Sequence, residues 1–357
     1  MNITDIGFIV PTRDNLEYIK LAYNSLRDHY PENWIIILDD ASKDGTGEFL
    51  ELLEEDDRLI VHLNEGEERV GHTVLYDIGF QTLGTLEVPL GMIFHADMVA
   101  SAGMAENLLK WWEPKTVVCS TRIEPPLHPE GPEKIIRDFG KFPEEFKSAG
   151  FEIFSNKLAQ SYQNQISVGI FAPWLISIED MKAVGGHDYL FAPMELEDSD
   201  IFNRWYNAGY SFVQSWDSLV YHFTSRGSRF KDGDITKDSE EYTKLREIKI
   251  KEWQRRWRQP VSHDPMMLPI VSSVHVTHGF NVPEDYRHFF DAIDTPGPVE
   301  FHFPEQFNSD SHDIIIKNQN FFISKQHIKE VVVNGVKIIV NKKVLKDMIH
   351  PEIKNIL

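Results

Sequence analysis

The feature that most constrains the fold is the alternation, over the first hundred residues, of short apolar runs with helical patterns. The apolar runs are IGFIV, WIIIL, residues 58–63 and LGMIF. Short, β-branched runs of this kind are typical of strands buried on both faces. Strand and helix in strict alternation imply right-handed crossovers and a mostly parallel sheet. The sequence therefore predicts an α/β fold, a Rossmann-like parallel sheet with flanking helices.

Beyond this alternation the predicted elements are less regular. Residues 125–154 interleave Pro, Gly and charge, which indicates an acceptor-side insertion or a long loop. A helix is predicted to begin at Ser177, where Ser-Ile-Glu-Asp forms a capping-box pattern. Residues 232–241 are polar and predict a mobile surface loop.

The last hundred residues have a different pattern. DIIIKN, FFISK and VVVNGVKIIV predict short strands, with Asn334-Gly335 as a hairpin turn. We therefore divide the chain into a domain at 1–259, with a nucleotide-binding half (1–100) and an acceptor half (101–259), and a small β-rich C-terminal region (260–357) of unknown role.

The composition limits the classes of partner that the protein is expected to bind and the cellular compartment that suits it. The net charge of −20 disfavours nucleic acid and anionic membranes as partners, unless a local basic patch binds them. No apolar run approaches the roughly 20 residues of a transmembrane helix. The single cysteine, Cys119, excludes an internal disulfide framework and favours a reducing compartment, so we expect a cytoplasmic protein. The sequence leaves the oligomeric state open.

Polar residues follow three of the predicted strands. Pro11-Thr12-Arg13-Asp14 follows the first, Asp39 to Thr46 the second, and His95-Ala96-Asp97 the fourth. Each alone is compatible with turn and cap chemistry. Ligands of open parallel sheets bind outside the carboxyl ends of the strands, so three such segments together predict a binding site.

These segments, together with GGHDYLFAPMELEDSDIFNRWYNAGY and YHFTSRG, occur in the order seen in a known family. Over roughly residues 5–229 the chain resembles the GT-A glycosyltransferases, in particular the inverting family 2. The resemblance implies a GT-A fold and a nucleotide-sugar donor, with a UDP-sugar favoured. It also implies Mn²⁺ or Mg²⁺ as cofactor.

By this resemblance the first two strand ends hold the nucleotide. Thr12 would approach the base and ribose, and Asp40 would accept a hydrogen bond from the base, whereas Asp39 is equally a structural residue of the turn. Arg69 corresponds to a basic donor contact, although a solvated arginine at a helix start is an equal reading. Ser42 and Asp44 are expected to cap the following helix.

The HAD triplet resembles the metal-binding DxD motif, with His95 in place of the first aspartate. By the resemblance Asp97 is the predicted metal ligand and His222 a further one, and carboxylate with imidazole suits Mn²⁺. A structural histidine near a strand end is the alternative interpretation of His222. His95 could contact sugar or ribose, or only fill space.

The segment Met194 to Tyr210 resembles the "ED" element at the start of a helix. Asp198 is the predicted catalytic base, which deprotonates the acceptor hydroxyl during inverting transfer, and Glu197 binds acceptor or orients the site. Asp200 and Arg204 are four residues apart and predict a helical ion pair. Charges favoured by the helix dipole are the alternative reading of this acidic run. Gly185-Gly186 predicts a tight turn.

Two basic segments each allow more than one interpretation. Arg226 and Arg229 lie in a loop that could close over the diphosphate, with Arg226 as the chosen donor contact, or they are solvated. Residues 244–258 predict an amphipathic helix that docks on its own domain. Contact with a nucleic-acid or phosphorylated acceptor, or with a membrane surface, is the less favoured reading.

The function predicted is a metal-dependent inverting glycosyltransferase that moves a sugar from a nucleotide-diphosphate sugar to a hydroxyl acceptor. The alternative is a catalytically inactive nucleotide- or sugar-binding module, for which His95 would be evidence of decay. A nucleotidyltransferase would show a Gly-rich phosphate loop after the first strand, and PTRDNLEY is not one.

Overall fold

The structure is a computed structural model that describes most of the first 270 residues and six short strands of the tail. The described residues are 1–53, 55–64, 66, 68–224, 230–231, 234–257, 261–270, 275–278, 299–302, 314–315, 322–323, 328–333 and 336–341.

The first hundred residues form the predicted strand–helix alternation. Its elements are β1 (Ile6–Thr12), α1 (Leu16–His29), β2 (Ile35–Asp39), α2 (Thr46–Glu51), β3 (Leu59–Leu63), α3 (His72–Thr85), β4 (Leu90–Ile93) and β5 (Met98–Ala100). The predicted strand 90–97 ends earlier than expected, because the chain turns after Ile93 and starts β5 at Met98.

The next part of the chain completes the sheet and adds further helices. Its elements are α4 (Met104–Leu109), β6 (Thr116–Glu124), β7 (Lys134–Ile136), α5 (Ser148–Ser161), β8 (Ile166–Ser167), β9 (Trp174–Ser177), α6 (Ile178–Ala183), α7 (Glu197–Asn207) and β10 (Ser211–His222). Short 3₁₀ helices cover Ile3–Asp5, Pro143–Glu145 and Tyr189–Phe191.

After β10 the described chain forms one hairpin and one long helix. These are β11 (Phe230–Lys231), β12 (Asp234–Asp238) and α8 (Glu240–Trp257). In the tail, three antiparallel pairs are described: β13 (His275–His278) with β14 (Val299–His302), β15 (Ile314–Ile315) with β16 (Phe322–Ile323), and β17 (Ile328–Val333) with β18 (Val336–Asn341). The Asn334-Gly335 turn lies outside the described residues.

Ten strands form one sheet, in the order β3-β2-β1-β4-β9-β6-β10-β5, with β7 beside β6 and β8 beside β10. β1 pairs in parallel with β2 and β4, and β10 in parallel with β6. β9 is antiparallel to both β4 and β6, so that β6 runs the same way as β4. Six strands along this order, β1, β2, β3, β4, β6 and β10, therefore end at one edge of the sheet, and the short β7, parallel to β6, runs the same way.

The core lies on both faces of this sheet. All seven residues of β1 and all nine of β6 are buried, as the continuous apolar pattern predicts for parallel strands. Helix α3 approaches β1 closely because it carries Gly79, where a Cβ atom would lie 2.3 Å from a methyl carbon of Ile9. The predicted α/β class with a mostly parallel sheet is confirmed.

Three local predictions need correction. Residues 125–154 contain regular structure, since β7 pairs with β6 and α5 starts at Ser148, where Phe151 enters an aromatic cluster. The polar segment 232–241 includes β12, which pairs with β11, and the start of α8. Ser42 does not cap α2: its hydroxyl donates to Asp39 and accepts from the backbone N–H of Asp14.

Two helix predictions hold. The Ser177 hydroxyl accepts from the backbone N–H of Asp180 at the start of α6. Asp44 accepts from the backbone N–H groups of Thr46 and Leu16, at the starts of α2 and α1.

Helix α8 docks on its own domain through a buried ion cluster and two indole rings. Trp253 and Trp257 pack against Phe191. Asp200 on α7 lies 2.7 Å from Arg204 Nε, the predicted helical pair, and 3.0 Å from Arg256 Nε of α8. The favoured reading of residues 244–258 is thus the one observed.

The ion cluster around Asp200 predicts a large loss of stability on substitution. Burial alone would raise the pKa of Asp200, but Arg204 and Arg256 outweigh it and hold that pKa below its ordinary value. We expect Asp200→Asn to lower the free energy of unfolding by about 3–5 kcal/mol, because the buried Arg204 loses its carboxylate partner and Arg256 keeps only Asp188.

Urea denaturation measures this effect, with the exposed Glu247→Gln of α8 as the control. Because the folded pKa of Asp200 is depressed, its contribution is complete above the unfolded pKa of about 4 and is lost as the pH falls below it. The difference between wild type and Asp200→Asn should therefore shrink in acid. A difference that is absent at neutral pH would contradict the role of the cluster.

Candidate active site

A cleft of about 320 Å³ opens at the edge where the six parallel strands end. Seven of the predicted site residues line it: Asp40, Arg69, His95, Asp97, Glu197, Asp198 and His222. Thr12 ends β1 but is buried beneath the cleft and does not line it. Arg226 and Arg229 lie outside the described residues. Segments distant in sequence thus converge on one cavity.

Three side chains form a group that could hold a cation. Ligand atoms of His95, Asp97 and His222 all lie within 4.8 Å of one another. His222 Nε2 lies 3.5 Å from a carboxylate oxygen of Asp97. Burial lowers the pKa of His222, but the carboxylates of Asp97 and Glu124 outweigh it and raise that pKa to about 9. Two imidazoles with one carboxylate are a suitable ligand set for Mn²⁺.

Glu124, a residue that sequence reasoning missed, supports this group. It is the last residue of β6, and its carboxylate lies 3.0 Å from Nδ1 of His222. Arg122 and Lys134 lie within 3.0 Å of the same carboxylate. A carboxylate behind a ligating histidine fixes its ring and tautomer, so Nε2 is left to face the cleft. The sequence could have indicated Glu124, because it is a polar residue at the end of a strand, like the three segments from which a binding site was predicted.

His95, in place of the usual first aspartate, has its own partner. Its Nε2 lies 3.2 Å from the hydroxyl of Tyr76 on α3. Burial lowers the pKa of His95 to about 3, which keeps the ring neutral at physiological pH. A neutral imidazole is the form that ligates metals.

Glu197 and Asp198 are the first two residues of α7, and both line the same cleft. Before them Glu195 (φ 83°) and Leu196 (φ 68°) adopt the left-handed conformation, which is uncommon for residues with a side chain and is found at functional sites. Burial, and then the neighbouring Asp198, raise the pKa of Glu197 well above its ordinary value, and burial raises that of Asp198. Desolvated carboxylates with raised pKa suit general-base chemistry.

Asp40 organises one side of the cleft. Its two carboxylate oxygens accept hydrogen bonds from the backbone N–H groups of Val70 and Gly71, at 2.8 and 2.9 Å. The side chain therefore fixes the loop that starts α3 as well as lining the cavity. Asp39 bonds to Ser42 within the turn, the structural role that was its alternative reading.

Two arginines line the cleft beside Asp40. Arg13 donates to the backbone carbonyl of Asp40 at 2.7 Å, and Arg69 lies near the sulfur of Met194, 3.8 Å away. Burial and the charge of Arg13 lower the pKa of Arg69. The side of the cleft near Asp40 is thus suited to an anionic ligand, although the protein as a whole is strongly acidic.

Part of this chain is similar to known glycosyltransferases. Residues 8–179, slightly under half of the chain, match the model of Glycosyl transferase family 2. This stretch of the chain therefore resembles family 2 glycosyltransferases, in agreement with the resemblance predicted from the sequence.

The known proteins to which this chain is similar are distant from it. An undecaprenyl-phosphate mannosyltransferase of Micrococcus luteus is 34% identical over 73 residues, 20% of this chain and 30% of the relative. The mannosyltransferase PcManGT of Pyrobaculum calidifontis, solved with GDP-Man and Mn²⁺, is 16% identical with a TM-score of 0.43, covering 64% of this chain and 58% of that one. GalNAc-T7, solved with UDP, GalNAc and Mn²⁺, is 12% identical with a TM-score of 0.45, covering 70% and 50%. This chain thus spans less than two thirds of each.

Among the described residues no helix is long and apolar enough to cross a membrane.

Neutralising the buried Glu124 should lower the affinity for the metal, although Glu124 itself supplies no ligand atom. We expect Glu124→Gln to weaken Mn²⁺ binding about 10- to 100-fold, the usual effect of removing the partner of a ligating histidine. Electron paramagnetic resonance of free Mn²⁺ measures the affinity. Glu133→Gln, which lies on the far side of Arg122, is the control. Equal affinities of Glu124→Gln and wild type would show that Glu124 does not support the ligand.

The addition of a single methyl group at Gly71 should alter the cleft. At Gly71 (φ 88°) a Cβ atom would lie 2.0 Å from the carbonyl oxygen of Pro193, in the segment that leads to Glu197. We expect Gly71→Ala to displace that segment and weaken nucleotide binding at least about tenfold, or 1.4 kcal/mol. Gly47→Ala, with open space around it, is the control, and calorimetry is the measurement. Wild-type affinity in Gly71→Ala would contradict the close approach.

Proposed function

We propose that this chain is an inverting glycosyltransferase that moves a sugar from a nucleotide-diphosphate sugar to a hydroxyl acceptor, with a divalent cation as cofactor. The observation that carries the proposal is the presence, in one cleft, of the cation-binding group (His95, Asp97, His222) and the carboxylate pair (Glu197, Asp198). A nucleotide-binding module without turnover needs no such pair.

Asp198 is the proposed base. Its carboxylate would take the proton of the acceptor hydroxyl while the hydroxyl oxygen attacks the anomeric carbon from the face opposite the leaving nucleotide. This single displacement inverts the anomeric configuration. Glu197, whose pKa is raised further, would be protonated and would donate a hydrogen bond to the acceptor.

Asp97, His222 and His95 would hold Mn²⁺ or Mg²⁺. When bound, the cation would offset the negative charge that develops on the departing diphosphate. The fit of these residues is supported by the chemistry of the ligand set and by the carboxylate of Glu124 behind His222. Arg13 and Arg69 would contact the donor phosphates from the opposite side of the cleft.

A UDP-sugar is the first donor to test. A mannosyl donor is the second, because the relative of Micrococcus luteus is named a mannosyltransferase. The acceptor is left as a hydroxyl of unknown class. We place the protein in a reducing compartment, the cytoplasm, which its single free thiol supports.

Residues 261–270 extend the proposed catalytic domain. Leu268 packs against the main core, and the backbone N–H of Ile170 donates to the carbonyl of Met266. We therefore propose that the catalytic domain extends to about residue 270, and that the β-rich region begins after it.

The metal-dependent donor site is tested by calorimetry. UDP, GDP, CDP and dTDP are each titrated with and without Mn²⁺ into wild type, Asp97→Asn and the exposed control Glu179→Gln. We expect one nucleotide to bind about 10-fold or more tighter with Mn²⁺, as a bridging cation requires, and this gain to be lost in Asp97→Asn only. Failure of all four nucleotides to bind a folded protein would contradict the donor site.

The base is tested by Asp198→Asn. With the donor identified by titration, we expect transfer to fall by at least about 10²-fold, because the acceptor proton has no base, while nucleotide affinity is unchanged. Glu179→Gln again serves as the control, and nuclear magnetic resonance of the first-formed product reports its anomeric configuration. Full activity of Asp198→Asn, or retention of configuration, would overturn the assigned mechanism.

A further inference from the structure

The candidate cation-binding group offers more nitrogen than oxygen. Its three side chains are the imidazoles of His95 and His222 and the carboxylate of Asp97, with one ligand atom of each within 4.8 Å of the others. Among the residues that the structure describes, Asp97 is the one acidic member of this group. A cation held here would therefore have two protein nitrogens and one protein carboxylate as ligands, before the oxygens of a donor are added.

The carboxylate of Glu124 lies close to the group but is already engaged. One of its oxygens lies 2.9 Å from Nη1 of Arg122 and 3.0 Å from Nδ1 of His222. The other lies 3.0 Å from Nζ of Lys134, and the residue is 1% exposed. Both oxygens are thus satisfied within the protein, so that Glu124 orients His222 and does not add an oxygen ligand.

Tyr76 supports His95 as Glu124 supports His222. It lies on α3 and is 1% exposed, and its hydroxyl lies 3.2 Å from Nε2 of His95. The two rings are stacked at 20°, with 6.5 Å between their centroids. A buried phenol hydroxyl needs a hydrogen-bond partner, and His95 supplies one. Because Tyr76 engages Nε2, Nδ1 is the nitrogen of His95 that is left for a cation.

We propose that this site selects divalent ions of the first transition series, such as Mn²⁺ and Co²⁺, over Mg²⁺. His95 determines the selectivity, and Tyr76 is the positioning residue for His95. The inference rests on the proposed function, since it specifies the cofactor of the same cleft. Two histidines with one carboxylate form a ligand set that proteins use for first-row divalent ions with open coordination positions. Mg²⁺ demands near-ideal octahedral geometry and is held through carboxylates and phosphates instead.

Two substitutions separate the ligand from its support. His95→Asp gives the group two carboxylates and one imidazole, so that oxygen ligands outnumber nitrogen ligands. Mg²⁺, which depends most on oxygen, should gain most from this change. Tyr76→Phe keeps all three ligand side chains and removes only the hydroxyl that engages Nε2 of His95.

The experiment measures binding of the metal ion alone, without nucleotide. Electron paramagnetic resonance of free Mn²⁺ gives its affinity for wild type, His95→Asp and Tyr76→Phe, and competition against Mn²⁺ gives the affinities for Co²⁺ and Mg²⁺. Pulsed electron paramagnetic resonance of the bound Mn²⁺ detects the ¹⁴N nuclei of coordinated imidazoles. This signal reports ligation by histidine directly, which a change in folding stability would not alter in bound protein.

The controls are a histidine and a tyrosine that do not line the cleft. His62→Gln removes an imidazole whose Nε2 lies 3.0 Å from the hydroxyl of Thr82. Tyr210→Phe removes a buried phenol hydroxyl that lies 3.1 Å from the carboxylate of Asp180. Both variants should match wild type in every metal affinity.

We expect wild type to bind Mn²⁺ and Co²⁺ at least about tenfold more tightly than Mg²⁺, as its imidazole ligands imply. His95→Asp should lower this preference and weaken the ¹⁴N signal, because one imidazole is lost. Tyr76→Phe should weaken Mn²⁺ binding about 10- to 100-fold, the usual effect of removing the partner of a ligating histidine. Mg²⁺ binding should change less in Tyr76→Phe, since Mg²⁺ does not depend on imidazole.

Equal affinities of wild type for Mn²⁺ and Mg²⁺ would overturn the inference, as would a ¹⁴N signal unchanged in His95→Asp. Unchanged Mn²⁺ affinity in Tyr76→Phe, or an equal loss for both ions, would overturn the positioning role. The wild-type preference and Tyr76→Phe remain informative even where His95→Asp does not fold. If Mn²⁺ is preferred but no nucleotide binds, the proposed function fails and this inference stands. If nucleotides bind equally well with Mg²⁺ and with Mn²⁺, this inference alone fails.

Discussion

The site depends on one topological constraint, the common direction of six strands in the sheet. Because β1, β2, β4, β6 and β10 run the same way, the polar residues that follow them meet at one edge although they are far apart in sequence. Glu124 and His222 are the last residues of neighbouring parallel strands. This places the carboxylate of Glu124 beside Nδ1 of His222. The sheet thus determines the supporting contacts as well as the ligands.

The second organising interaction is the buried charge cluster that joins α7, α8 and the turn at 184–188. Asp200 and Asp188 both contact Arg256, and Arg204 bridges from Asp200 to the carbonyls of the turn. Such clusters contribute little net stability compared with apolar packing, but breaking one is costly, so they fix a single arrangement. Here that arrangement sets the angle at which α7 presents its first two carboxylates.

Sequence reasoning reached the fold and most of the cleft, for identifiable reasons. Strand periodicity and strand-end polarity are local signals that pointed to Asp40 and Asp97, and the family resemblance added His222. Glu124 was missed although it ends a strand, whereas the other miss is nonlocal. The contact between Asp77 and His187 joins residues 110 positions apart, and neither is unusual in its own segment. Thr12 ends β1 as predicted, but it is buried and does not line the cleft. Periodicity also missed α5, because Pro and Gly before it hid the helix start.

The replacement of an acidic residue by His95 bears on whether the site has decayed. Random loss of a metal ligand would leave its former partners unpaired, or leave a buried cation beside other cations. Instead His95 contacts the hydroxyl of Tyr76, and burial keeps its ring neutral. The ring of His222 lies 6.0 Å from that of His95, measured between centroids. The neighbouring carboxylates of Asp97 and Glu124 raise the pKa of His222. His95 is thus neutral and able to ligate, and His222 lies between two carboxylates that compensate its proton until a cation displaces it. These partners support a built ligand set over a remnant.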